Sequence, residues 1–493
     1  QRSLVAYRTQ RAPIKTLLDT FEHAKTFGSL IQIPTALGDQ LAAIATGLQQ
    51  ALNDGDLYAR QAAKDVLPLV WQALLLATKF DAVVANPPYM GSKGMPSAIK
   101  DFAQKKFPLA KSDLYSIFIE RAFAWCKPSA LNAMVTMQNW MFISSYESFR
   151  QALLSAREFY QITQVGYNSF PEINSKVVQV CAFVFGAMPV DGHIGVYVNL
   201  NDAPQSSDKD AVFLNRTESM VHKRTREQFK KIPGGAVVMW ASDVSLSIFE
   251  STPRLAEYVH TREGLTTGSN DRFLRYWHEI SLAELSIPTV KVPSAHRWIP
   301  YVKGGAYRRW SGNLEYVVDW ENDGEAMKSF ADTETGRIRS HNYNGAFAFR
   351  SGVTWSSITS GDFSVRHVPE GFMFDTKGPM GFMKFGTSTY SVAAFLNSEV
   401  AGHFMKMLAP TLDFKIGHIL NLPYRADAAE SQAECAKTCV DISSEDWRSS
   451  EGYWEFERLA FIPSNPTGSL LHVSWSAWAA RADQSVSRLR ELE

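Results

Sequence analysis

The residues with most chemical content are Asn86, Pro87, Pro88 and Tyr89, which end the apolar run at residues 80–85 in the stretch FDAVVANPPYMGSKG. The run reads as a buried strand, and in open α/β sheets ligands sit beyond the carboxyl ends of strands. Two prolines fix φ and enforce a rigid, extended exit. The Asn86 side chain and the neighbouring carbonyls are then aimed acceptors, and Tyr89 offers a flat face. Such a set suits a planar heterocycle or amide whose NH2 must donate both hydrogens. The exocyclic amine of adenine is a poor nucleophile because its lone pair is delocalised into the ring. If the Asn86 oxygen and a proline carbonyl accept both N–H groups, the nitrogen can pyramidalise and turn its lone pair toward an electrophilic methyl. Tyr89 would stack on the base once it leaves the duplex. The plain alternative is a proline turn after a strand. At average residue usage this tetrapeptide arises by chance in about one chain per thousand of this length.

The surrounding pattern supplies the scaffold. Residues 37–78 carry apolar positions at helical spacing, with Asp39 and Asp54 as possible caps. After the first strand, Ser112 reads as the N-cap of an amphipathic helix bearing Leu114, Ile117, Phe118, Arg121 and Ala122, stopped by Lys127-Pro128-Ser129. LNAMVTMQ, QITQVGYNSF and KVVQVCAFVFGAM read as further strands, with a helix over SSYESFRQALLSAREF, and HIGVYVNL (residues 193–200) closes the sheet. Strands alternating with crossover helices predict a mostly parallel α/β sheet of Rossmann-like kind. The expected divisions are 1–202 for this catalytic portion, 203–260 for a linker with the basic helical run HKRTREQFKK, 261–425 for a loop-rich α+β domain, and 426–493 for a helical end.

The totals exclude several classes. Among 493 residues, 50 Lys and Arg balance 50 Asp and Glu, so any nucleic-acid surface must be local. Four scattered cysteines suit a reducing compartment rather than a disulfide framework. Cys435 and Cys439 read as helical positions, and no metal site is expected. No membrane span or signal peptide is apparent, which points to the cytoplasm and to no membrane partner. No paired-carboxylate nuclease motif is present.

In the second half, GLTTGSNDRFLRYW holds Arg272 and Arg275, KGGAYRRWSGNLEYVVDWENDG holds Lys303, Arg308 and Arg309, and the stretch from residue 350 to 378 holds Arg350 and Arg366. Arginine reads guanine bidentately and grips phosphate, while Lys-Gly-Gly would let the backbone approach a phosphate. As a set these loops suggest double-stranded DNA as partner; singly, many of their aromatics are equally core residues.

VVANPPY resembles the fourth motif of the amino-methyltransferases that use S-adenosyl-L-methionine. KSDLYSIFIERAFAWCKPSALNAMVTMQNWMF is similar to their fifth and sixth motifs, with Ser129 and Ala130 in place of two glycines. SFPEINSKVVQVCAFVF is similar to the eighth, whose phenylalanine would be Phe170, packing on the flipped base opposite Tyr89 or serving simply as a core aromatic. The resemblance makes Asn86 to Tyr89 the catalytic residues, puts Asn86 at the cofactor, and sets Asp113 either near the cofactor pocket or as a helix cap. The glycine-rich cofactor loop expected upstream of the NPPY strand is not in residues 1–80, and the chain opens without methionine, so its amino-terminal part is expected to be missing. The recognition stretches, with EDWRSSEGYWEFERLAF, resemble the PglX family of adenine-specific DNA methyltransferases of BREX phage-defence systems. That implies N6 methylation of adenine in a short site on host DNA, and as partners other BREX proteins and phage-encoded DNA mimics. Two other readings stay open: a protein-glutamine or ribosomal-RNA methyltransferase using the same tetrapeptide, and a recognition module without turnover.

Overall fold

Two apolar helices lead into the strand that ends on Asn86. Leu41–Asp54 and Leu57–Ala77 bury Ile44, Leu48, Leu67 and Val70 against Leu17 and Leu37. Gly55 makes their turn possible, since a Cβ there would lie 2.3 Å from the Ala51 carbonyl oxygen. The second helix is capped by Asp56, whose carboxylate accepts the Ala59 amide at 2.8 Å. The expected caps Asp39 and Asp54 have no such role: Asp54 closes the first helix, and the break falls one residue later. The computed structural model describes residues 2–167, 169, 178–201, 203–204, 207–286, 296–359, 361–410, 413–456, 458–462 and 470–493, with side chains from residue 11 onward. Phe170 lies outside the described residues. The chain divides into two compact units, Gln1–Trp240 and Ala241–Glu493.

The first unit is built on a six-stranded sheet of β1 (Phe80–Ala85), β2 (Cys126–Met137), β3 (Glu158–Gly166), β4 (Val180–Gly186), β5 (Gly195–Asn199) and β6 (Val221–Arg224), in the order β1-β2-β4-β3-β5-β6. β1 is parallel to β2 and β3 to β5, while β4 runs against both β2 and β3. Four strands therefore share a direction, but β4 and β6 run in reverse, so three of the five neighbouring pairs are antiparallel and the sheet is mixed rather than mostly parallel as expected. Helix Glu147–Ala156 carries the chain from β2 past β4 to β3, the crossover that two co-directional strands require.

Two sequence expectations shift here. Lys127, Pro128 and Ser129 do not trail the helix; Leu114–Trp125 ends one residue before β2, and they belong to the start of that strand. β5 does not close the sheet, because Val221–Arg224, expected as helix, pairs antiparallel with it. Only Arg226–Lys230 of that basic run is helical, started by a capping box between Thr225 and Gln228. A charged outer strand is a common protection for a sheet edge. The first compact unit accordingly takes in this strand and helix and runs to Trp240.

One face of this sheet is covered. Phe183, Phe185 and Phe159 stack there at 4.1 and 4.2 Å between centroids, with Trp140 edge-on to all three. Buried Arg150 clamps the loop after β2, donating to the Trp140 and Ile143 carbonyls at 3.0 and 2.7 Å and twice to that of Gly234. The alternate positions, Val84, Ala133, Val135, Ala182 and Val184, line an open apolar groove of about 240 Å³.

The second unit contains β7 (Val259–Arg262), β8 (Leu274–Tyr276), β9 (Trp298–Val302), β10 (Tyr316–Asp319), β11 (Gly352–Trp355), β12 (Val365–Val368), β13 (Met373–Phe374) and β14 (Met380–Met383). They form two four-stranded sheets, β13-β9-β10-β8 and β12-β11-β14-β7. Helix Ala433–Arg448, from the segment expected to stand apart, packs on helix Thr389–Leu396 within this unit.

Candidate active site and nucleic-acid interface

Asn86 follows the last residue of β1, at the carboxyl end of the strands that share its direction. β1 is not the buried strand its sequence suggests: among the described residues it pairs only with β2, and Val84 is 77% exposed. Val83 and Val84 look like core because both faces of the strand are apolar, yet only one is covered. Pro87 is buried and Pro88 and Asn86 are exposed, so the exit is anchored at its middle with the amide outside.

The following residues are stitched to the next helix. Ser92 donates its amide to the Ser112 carbonyl at 3.0 Å, and Leu114 donates to the Met90 carbonyl at 3.0 Å. Asp113, not Ser112, caps Leu114–Trp125: its Oδ1 accepts the Tyr115 amide at 3.2 Å and the Met90 amide at 2.9 Å. One carboxylate thus starts the helix and fixes the loop behind Tyr89. That helix is buried nearly all round rather than amphipathic, and Arg121 is satisfied by the Ser29 and Ile31 carbonyls at 3.2 and 2.6 Å.

Asp113 yields a direct test. Burial raises its pKa against the pull of three backbone amides. The folded chain therefore holds that proton more tightly than the unfolded chain, and the carboxylate loses stability as pH rises through the ordinary carboxylate range. Asp113→Asn keeps an acceptor without the charge and should match or exceed the parent in urea denaturation. Asp113→Ala should lose about 1 kcal/mol, the usual value of a cap. Equal stability of the alanine variant and the parent would contradict this role.

The Tyr89 hydroxyl lies 3.3 Å from Asn86 Oδ1 and 3.2 Å from the Val135 carbonyl, and can donate to one at a time. Burial first, then Cys181, pushes its pKa up to about 12, so it remains a neutral phenol. Its ring stands edge-on to Tyr115 at 6.0 Å, and Tyr115 stacks on Tyr146 at 6.0 Å. The tyrosine face is thus backed by a rigid aromatic column.

Sequence reasoning missed a row of amides at the same end of the sheet. Gln138, just after β2, donates to Gln179 Oε1 at 2.6 Å, and Gln164 of β3 donates to Gln138 Oε1 at 3.4 Å. Both glutamines are buried. Polar residues at the carboxyl ends of neighbouring strands were the available signal. Among the described residues no cluster of His, Cys, Asp and Glu could hold a metal ion, and Cys435 and Cys439 lie on one helix as free thiols.

The expected DNA-contacting residues separate by environment. Arg272 and Arg350 are exposed, Arg272 over Phe273 and Phe330, and Arg350 over Phe347 and Phe382. Arg275 donates to the Asp271 and Leu274 carbonyls, and Lys303 sits 5.0 Å above the Tyr316 ring. Arg308 pairs with Asp446 over Trp447, and Arg309 pairs with Glu493 at 3.4 Å. Arg366 is 1% exposed and is not a surface residue. The Lys-Gly-Gly turn is also occupied internally: Gly304 and Gly305 have φ of 88° and 121°, and Cβ atoms there would meet the Lys377 carbonyl and Asn313 at 2.7 and 2.8 Å. Those glycines serve the chain's own packing. No described helix is long and apolar enough to cross a membrane.

Residues 35–170 match the family model of the Eco57I restriction-modification methylases. The chain is 38% identical over 428 residues to an adenine-specific methyltransferase PglX of Lacticaseibacillus casei (strain Zhang), covering 85% of this chain and 36% of that protein. It is 36% identical over 462 residues to an adenine-specific methyltransferase BrxX of Escherichia coli O9:H4 (strain HS), covering 92% of this chain and 37% of that protein. The resemblance drawn from the motifs is borne out, and the chain spans little more than a third of the length of these relatives. Among solved structures, the type IIL restriction-modification enzyme MmeI in complex with DNA superposes with a TM-score of 0.52 at 12% identity, over 86% of this chain and 56% of that one, which supports the fold.

Proposed function

We propose that this chain carries the target-amine site and the DNA-recognition unit of a site-specific DNA adenine-N6 methyltransferase of the PglX family, serving a BREX phage-defence system. The observation that carries this reading is Asn86-Pro87-Pro88-Tyr89, held at the carboxyl end of β1 by Asp113 and backed by Tyr115. The relatives' names support adenine as the target over a glutamine side chain or ribosomal RNA.

Asn86 Oδ1 and the Pro87 carbonyl would accept the two amine hydrogens. As the nitrogen gains a methyl it gains positive charge, so both acceptors bind more strongly in the transition state than in the ground state. Neutral Tyr89 would stack on the flipped base. S-adenosyl-L-methionine would supply the methyl group. Asn86 would form one wall of its pocket, and the remainder would come from sequence outside this chain. Among the described residues one face of the sheet is uncovered and apolar and the outer edge of β1 is unpaired, which favours that division, since co-directional strands are normally buried on both faces. Cytoplasmic location and contact with other BREX proteins or phage DNA mimics belong to the same proposal.

The test is to incubate the full-length protein, and this chain alone, with labelled S-adenosyl-L-methionine and unmodified duplex DNA. Label on adenine N6 from the longer protein supports the reading; site-specific binding without transfer from it would leave a recognition module. Tyr89→Phe keeps the ring but frees Asn86, and should lower kcat about fivefold, in line with the roughly 1 kcal/mol of one hydrogen bond, with little change in KM for DNA. A KM effect alone would contradict the positioning role.

A further inference from the structure

The β7 edge of the second sheet in the second unit carries a basic and aromatic feature of which the sequence motifs mark only Arg350. His260 and Arg262 of β7 pair with Phe382 and Met380 of β14, and so project on the same face. Arg262 lies 4.4 Å from the Phe347 ring centroid, and Arg350 5.4 Å from the same ring. Phe347 packs on Phe382 at 5.1 Å, so two guanidiniums roof one aromatic pair. Lys384 joins them, its amide donating to the Tyr258 carbonyl and its ammonium to that of Ala256. The charges acting on the nearby His260 ring are those of Lys384, Arg262 and Arg350.

Phe385 follows Lys384 directly in the chain and is 108% exposed. A lone exposed aromatic is ordinary on a protein surface. This one is presented by a tight turn: Thr387 donates to the Lys384 carbonyl at 3.1 Å, and Gly386 at φ +83° occupies the position that only glycine takes easily. The turn is anchored on one side by β14 and on the other by Ser388, which caps helix Thr389–Leu396. The ring is therefore held out from the surface, one residue along the chain from Lys384.

We propose that Phe385 is a base-stacking wedge, which enters duplex DNA at a base step while Arg262, Arg350 and Lys384 hold flanking phosphates. Apolar wedges flanked by basic side chains are a known route to unstacking a step and bending the duplex. This inference rests on DNA being the substrate and adds a contact class to it: Phe385 reads deformability, whereas the cations supply salt-dependent affinity.

The experiment uses full-length protein and duplex DNA containing its site, with affinity measured across salt concentrations. Phe385→Ala should weaken binding about tenfold or more at each salt, as loss of one stacked base does, with an unchanged salt slope. Arg262→Ala and Arg350→Ala should each lower the slope by about one. Phe385→Trp should restore affinity, and its indole fluorescence should be quenched by the DNA. If the parent binds with a steep salt slope and Phe385→Ala binds equally well, the wedge is wrong and the ring belongs to a protein contact. If the parent shows no salt-dependent binding, the DNA reading fails, and the wedge with it.

Discussion

Asn86→Ala is expected to reduce methyl transfer by on the order of a thousandfold while leaving DNA affinity unchanged, because removing one preorganised partner of a developing charge has an effect of that size. The alanine removes an acceptor and nothing structural: Asn86 is exposed, and among the described residues its side chain meets the Tyr89 hydroxyl at the long distance of 3.3 Å. Pro87 stays buried, and the Met90–Asp113 link is untouched, so the exit keeps its course. Asn86→Asp retains an acceptor in the same place and should keep part of the rate. Single-turnover transfer to a duplex with one target adenine, beside anisotropy binding across salt, separates the outcomes. Wild-type transfer by the alanine variant would remove Asn86 from the chemistry. Loss of binding as well as transfer would make it a structural residue.

The NPPY exit was legible because each of its residues acts locally: prolines set φ wherever they stand, and an amide at a strand end faces the ligand side of a sheet. What surrounds it was less so. Ser112 and Asp113 are adjacent and chemically equivalent as caps, and only the pairing of Met90 and Gly91 with Asp113 decides between them. β1 carries apolar residues on both faces, and no pattern within FDAVVA tells that one face stays open. The basic run at residues 222–231 has helical composition, yet its first half is drawn into the sheet by β5, a choice made by tertiary pairing. In the second unit the arginines are spaced as surface residues would be. Whether each meets an aromatic ring, a carboxylate or solvent depends on contacts distant in sequence, such as Arg308 with Asp446.

Arg366 is the clearest case of that dependence, and Arg366→Met should raise stability by about 2 kcal/mol, the order of the desolvation cost of buried donors left without hydrogen-bond partners. Arg366 is 1% exposed on β12, and none of its guanidinium nitrogens has a hydrogen-bond partner among the described residues. Burial pushes its pKa down to about 10; Glu315 favours its charge, and Arg308 opposes it. Methionine fills the same volume without five donors to satisfy. Glu315, already raised by burial, loses a favourable neighbour and should rise further. Its proton is then held more tightly in the folded than in the unfolded chain, so the advantage of the variant should grow as pH falls. Urea denaturation of the parent, Arg366→Met and Arg366→Met with Glu315→Gln, at pH near 8 and near 5.5, measures both effects. The salt slope of DNA binding should not change, in contrast to that of Arg350→Ala. A loss of stability together with a lower slope would return Arg366 to the DNA surface, and would mean that β12 turns this side chain outward when the nucleic acid is bound.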